Sequence, residues 1–207
     1  MQISISVDDG CDSDFKLAKL LQKYNIKGVF YWPVDVHGLS LNKHWPAITP
    51  NHEEYIANNF EIGSHTISHR YLTQIPFEEA YDEITQSRKM LQEKYGQEIT
   101  KFCYPRGYAN ESLIEAVKEA GYDYGRSTAI GYIGNPENPY FAPTAVHIGC
   151  PIRTEYIGTN WYDYGIKLFK KAKEQNLDFE AWCHSWEIDR YNEWDNVEQF
   201  LMEISRG

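Results

Sequence analysis

Along the whole chain, short apolar runs closed by aspartate, glycine or proline alternate with longer stretches whose apolar residues recur every three to four positions. Ile3, Ile5 and Val7 make a strand that stops at Asp8, and a stripe of Phe15, Leu17, Ala18, Leu20, Leu21 and Tyr24 follows, with Asp12 or Ser13 placed to cap a helix. Residues 28–32 read as a buried strand ended by Pro33, and a loop rich in His and Pro comes next. Asn51-His52-Glu53-Glu54 has the form of a capping box opening a short helix. Further strands are expected at 60–63, 101–104, 122–126, 145–148 and 179–184. Helices are expected at 76–95 (closed by Gly96), 110–120 and 161–175, and from Asp195 towards Ser205, with 128–142 a loop. Such alternation predicts a largely parallel sheet with right-handed crossovers, an α/β fold in the form of a distorted or incomplete (β/α) barrel of about seven strands. No repeat, low-complexity tract or linker divides the chain, so residues 1–207 are expected to form a single domain.

Composition narrows the partners. With 42% hydrophobic and 24% charged residues the chain is of ordinary globular type. Its net charge of −10 repels polyanions, which argues against nucleic acid and anionic membranes as partners. Cys11, Cys103, Cys150 and Cys183 are widely spaced and form no CxxC pair, so they are expected to be reduced, buried thiols and not a zinc site. No basic segment with an apolar run precedes the first strand, and no run approaches the ~18–20 apolar residues of a membrane span. The expected location is therefore cytoplasmic.

In barrels of this type, reactive groups collect at the C-terminal ends of strands. Asp8 and Asp9 end the first strand, His65 follows the third, Tyr104-Pro105-Arg106-Gly107 the fourth, and His184 ends the seventh. One carboxylate and two neutral imidazoles can hold a divalent ion and leave positions open for water and substrate, which is a catalytic arrangement and not a closed structural one. If Asp9 binds the ion, whose charge lowers the pKa of a bound water towards ~7, Asp8 is free to take that water's proton. Read alone, Asp-Asp-Gly is equally a turn followed by a helix cap. His65 and His69, four residues apart, are expected on one face of a helical turn, with Thr66 and Ser68 fixing their tautomers. Cleaving an amide also needs a proton donor for the departing nitrogen; His184 suits that task, with His147 a competitor. His37, His44 and His52 are assigned no role.

These segments resemble the motifs of the polysaccharide deacetylase family, also called the NodB-homology family or carbohydrate esterase family 4. Ser6-Val7-Asp8-Asp9-Gly10 is similar to that family's Thr-Phe-Asp-Asp-Gly, which implies Asp8 as catalytic base and Asp9 as metal ligand. His65-Thr66-Ile67-Ser68-His69 is similar to its His-[Ser/Thr]-x-x-His, which implies His65 and His69 as the other ligands. Phe102-Cys103-Tyr104-Pro105-Arg106-Gly107 resembles the third motif, a groove wall with a backbone oxyanion donor, and implies substrate contacts from Tyr104 and Arg106. Trp182-Cys183-His184 resembles the last motif, whose histidine is the general acid; Trp186 beside it is expected to face substrate.

The resemblance implies one NodB-type catalytic domain over 1–207. Its expected activity is metal-dependent removal of N-acetyl groups from an acetamido sugar or glycan. Zn2+ is the default ion, with Ni2+, Co2+ or Fe2+ as alternatives. Hydrolysis of a small amide or cyclic imide on the same fold, or sugar binding without turnover, are the competing readings. Two departures stand out. Cys103 occupies the place where many members carry an arginine that orients the catalytic aspartate, leaving Arg106 or Arg126 as its replacement. The fourth-motif carboxylate that tunes the acid histidine is open between Asp163, Glu187 and Asp189.

Overall fold

The computed structural model describes residues 1–43 and 45–206, without the side chains of 40–43; His44 lies outside the described residues. Seven parallel strands form one curled sheet, ordered β5-β4-β3-β2-β1-β7-β6. They are β1 (Ile3–Asp8), β2 (Lys27–Trp32), β3 (Glu61–Ser64), β4 (Lys101–Cys103), β5 (Tyr124–Arg126), β6 (Val146–His147) and β7 (Phe179–Cys183). Eight helices accompany them among the described residues: α1 (Asp14–Lys23), α2 (Val36–Lys43), α3 (Pro50–Asn59), α4 (Phe77–Tyr95), α5 (Glu111–Glu119), α6 (Trp161–Gln175), α7 (Ser185–Tyr191) and α8 (Trp194–Ile204). The sheet curls into a half-barrel, the distorted α/β barrel anticipated from the alternation.

The strands are buried because helices cover the parallel sheet, and their sequences are accordingly apolar along most of their length. β1 is central, paired in parallel with β2 (Asp8 opposite Tyr31) and with β7 (Val7 opposite Cys183). The last two carbonyls of β2 reach to opposite sides. Tyr31 O accepts from Asp9 N at 3.2 Å, and Trp32 O accepts from His65 N at 3.0 Å. The end of β2 thus sets the residues that follow β1 and β3 beside each other. At the far side Cys103 of β4 is in register with Arg126 of β5. Gly125 is required there by close packing, since an added Cβ would lie 2.4 Å from the Tyr140 carbonyl oxygen.

Several expectations shift. Residues 33–50 are not all loop: α2 forms because Asp35 Oδ1 accepts from Gly38 N at 2.8 Å at its first turn. α3 begins at Pro50, not at the Asn51 box, because proline suits the first helical position and Thr49 is already extended. α7 was not anticipated; it follows directly from His184, which sits at its N-cap. All four cysteines are free and buried. No helix among the described residues is long and apolar enough to cross a membrane.

Candidate metal centre and active site

Asp9, His65 and His69 converge at the C-terminal edge of the sheet. Asp9 Oδ1 lies 3.6 Å from His65 Nε2 and 3.4 Å from His69 Nε2. That oxygen is buried and has no hydrogen-bond partner among the described residues. Its twin, Oδ2, accepts from Trp186 Nε1 at 3.0 Å. His65 Nδ1 lies 2.8 Å from the Cys103 carbonyl, which can only accept, so the proton is on Nδ1 and the Nε2 lone pair faces Asp9. Burial lowers the pKa of His65, and that of His69 to about 3, the neighbouring His65 adding to the latter shift. Two neutral imidazoles and an orphaned carboxylate oxygen are the donors a divalent ion takes, and an unpaired buried oxygen is costly without one. The residues therefore fit the expected metal.

The two histidines do not share a helical turn. Thr66 and His69 have φ of 70° and 57°, so the segment is a tight irregular loop. Thr66 and Ser68 do not fix the imidazole tautomers either. Thr66 Oγ1 accepts from His69 N at 3.0 Å, and Ser68 binds Glu83. Glu83 accepts from Ile67 N at 2.8 Å, Ser68 N at 2.9 Å and Ser68 Oγ at 2.5 Å. It lies on the buried stripe of α4 with Ala80, Ile84, Ser87 and Leu91, and a carboxylate in that register was the one sequence signal for its role. Glu83→Ala should loosen the loop and weaken metal affinity about 10–100-fold, read by competition with a chelating dye; unchanged affinity would remove Glu83 from the account.

Asp8 is 1% exposed and lies against Arg126, whose Nη2 donates to both of its oxygens. Arg126 also donates to Ser127 O at 3.0 Å and to Cys103 Sγ at 3.0 Å, and Cys103 Sγ–H donates to Asp8 Oδ2 at 3.6 Å. Burial works to raise the pKa of Asp8, but the Arg126 guanidinium, with His65 and His184, holds it below the ordinary carboxylate range. Arg126, not Arg106, thus partners this aspartate. Arg106 lines the cleft from the Pro105–Gly107 turn. Tyr104 also borders the cleft, yet it is fully buried and its hydroxyl donates to the Tyr140 carbonyl at 2.8 Å.

His184 Nε2 lies 3.6 Å from Asp9 Oδ2, and its Nδ1 lies 2.6 Å from Glu187 Oε2. Burial disfavours its charged form, but the carboxylates of Asp9 and Glu187 outweigh this and raise its pKa to about 9. The carboxylate beside the acid candidate is therefore Glu187. Asp163 is spent on capping α6 with Asn160, and Asp189 on Ser13 and Trp194. His147 supports Glu187 from behind, with Nε2 2.8 Å from Oε2 in an off-axis contact and its ring stacked on Trp182 at 3.7 Å.

Two other clusters have ligand-like spacing, Asp8–His65–Cys103 and His147–His184–Glu187. In the first, Asp8 is taken by Arg126 and burial pushes the Cys103 thiol pKa up, away from thiolate. In the second, Glu187 Oε2 already serves both imidazoles.

Asp14 borders the site without lining it. It is fully buried and accepts from Trp32 Nε1 at 3.0 Å and Ser185 Oγ at 2.6 Å. Burial raises its pKa to about 8, with Asp9 and Asp8 adding to the shift. In the unfolded chain the value is about 3.9. The folded state therefore holds the extra proton between these values, and its contribution to stability is complete below about pH 4 and lost as pH rises through about 8. In chelator, the melting temperature of wild type should fall relative to that of Asp14→Asn from about pH 5 to 8; parallel curves would contradict the shift.

Among the described residues, positive φ outside glycine falls on Asn25, Asn176 and Asn192, where asparagine tolerates it, and on Asp9, Thr66, His69 and Arg106. The second group all surrounds the cleft, and such strain collects at functional sites.

The family model described as polysaccharide deacetylase matches residues 1–125. The protein YxkH of Bacillus subtilis is 26% identical over 139 residues, 67% of this chain and 48% of YxkH. A peptidoglycan-N-acetylglucosamine deacetylase of Bacillus cereus is 29% identical over 122 residues, 58% of this chain and 53% of the relative. The chain thus spans about half the length of these curated relatives. A family 4 carbohydrate esterase from Streptomyces lividans, solved with acetate, shares the fold at a TM-score of 0.62 and 13% identity, covering 99% of this chain and 86% of the other. With its motifs in order at the strand ends and more than half its length matched, the chain belongs to the polysaccharide deacetylase family, the NodB or carbohydrate esterase 4 group.

Proposed function

We propose that this chain is a metal-dependent deacetylase that hydrolyses the N-acetyl group of an acetamido sugar or glycan, with a divalent ion, zinc by default, held by Asp9, His65 and His69. The observation that carries this reading is the orphaned Asp9 oxygen facing two imidazole nitrogens, with His184 beside the other oxygen. When bound, the ion supplies positive charge that polarises the acyl oxygen and favours ionisation of water.

The chain's own groups account for the proton movements. Asp8, kept ionised by Arg126, takes a proton from the water whose oxygen bonds to the acyl carbon. The turn after β4 offers a donor to the developing oxyanion. Pro105 has no N–H and Gly107 N donates to Tyr104 O at 2.8 Å, which leaves the N–H of Arg106. His184, oriented by Glu187, gives its Nε2 proton to the nitrogen as the C–N bond breaks, and acetate and a free amine result. Arg126 and His184 lie beyond the segment 1–125, so we treat residues 1–207 as one catalytic domain.

The test is acetate release from N-acetylated chito-oligosaccharide and from small N-acetyl amides, with and without chelator. The reading expects release that chelation abolishes and zinc restores. Release that is insensitive to metal would defeat it.

A further inference from the structure

Arg106 and Arg190 reach the cleft from opposite sides. Arg106 follows β4, three strands from β1 on one flank, and Arg190 lies on α7, after β7 on the other. Both line the cavity that contains Asp8, Asp9 and His184. The carboxylates of that cavity already have their roles: Asp8 pairs with Arg126, Glu187 with His184, and Asp9 accepts from Trp186 Nε1 through Oδ2 while its Oδ1 is the oxygen assigned to the ion. Among the described residues neither Arg106 nor Arg190 has an ion-pair partner, in a protein with 30 acidic and 20 basic side chains. Each rests instead on an aromatic face, Arg106 over Tyr71 at 5.1 Å and Arg190 over Trp186 at 4.9 Å. Resting on a ring holds each guanidinium near its place, and with no ion-pair partner its N–H groups can serve a carboxylate or phosphate. The cavity measures about 320 Å3, at the small end of the roughly 300–1,000 Å3 usual for ligand sites, which is room for one ring and its substituents.

We propose that Arg106 and Arg190 select an anionic substrate: an N-acyl amino sugar or small amide that carries a carboxylate or phosphate within one ring of the scissile amide. The proposal rests on the deacetylase reading only for where the amide sits.

Calorimetry tests it, with and without chelator, using three probes: N-acetylglucosamine 6-phosphate, N-acetylmuramic acid as the carboxylate, and neutral N-acetylglucosamine. At least one anionic probe should bind about 10-fold or more tightly than the neutral one, and lose that advantage in Arg106→Gln/Arg190→Gln. Both side chains are exposed, so the double variant should fold as wild type does. Which anionic probe wins identifies the group. Equal binding of all three, no binding of any, or an advantage that survives the double substitution would overturn the proposal. Arginine-dependent binding of an anionic probe without acetate release would leave the proposal standing and count against the deacetylase reading.

Discussion

Arg126→Met should lower the melting temperature by roughly 6–20 °C and turnover by about 100-fold or more. The guanidinium is fully buried, packed between Trp182 at 4.8 Å and Tyr31 at 5.3 Å, with Asp8 as its counter-charge. Methionine fills most of that volume but leaves a carboxylate buried and unpaired. Breaking a buried pair from one side costs about 3–5 kcal/mol, and a chain of this length loses roughly 2–4 °C per kcal/mol. Removing both charges should cost less than removing one. Asp8→Asn/Arg126→Met should therefore recover more than about half of the lost stability, although it stays inactive. A single variant as stable as wild type would mean that the pair is not buried as described.

Asp8→Asn is expected to reduce kcat by about 100–10,000-fold while KM changes little and metal binding is kept. Asparagine preserves the shape and one acceptor for Arg126 but cannot take a proton. Assays belong well below the variant's melting point, because the arginine loses its counter-charge. The ligand variant His65→Ala should behave differently and lose the ion itself. Loss of metal from Asp8→Asn to the same degree would make Asp8 a ligand and remove the base from the mechanism.

The strand-end motifs were legible because each compresses its chemistry into a few neighbouring residues. Asp8-Asp9 and His65–His69 could be placed on the same edge from strand order alone. The choice between Arg106 and Arg126 was not legible, because it depends on the register that sets Cys103 against Arg126, across a hairpin-free parallel pair with a helix between. The sequence left both arginines open; topology favours Arg126, 118 residues from Asp8. Glu187 could not be separated from Asp163 and Asp189 for a similar reason. It is three residues from His184 and reaches back only because α7 starts there, and the seven residues 185–191 are too few to announce a helix by periodicity. The spacing of His65 and His69 implied that their rings meet, as they do, but by a different route. A helical turn was expected, whereas a strained loop held by Glu83 brings the rings together. Trp186 was expected as a substrate surface, and its N–H also fixes which Asp9 oxygen faces the imidazoles.

The most direct test is an anomalous-difference map from crystals of the whole chain soaked in zinc. The account predicts one strong peak per chain, about 2.0–2.2 Å from an oxygen of Asp9 and from Nε2 of both His65 and His69. A principal peak held by Cys103 with Asp8, or by His147 with Glu187, would contradict it.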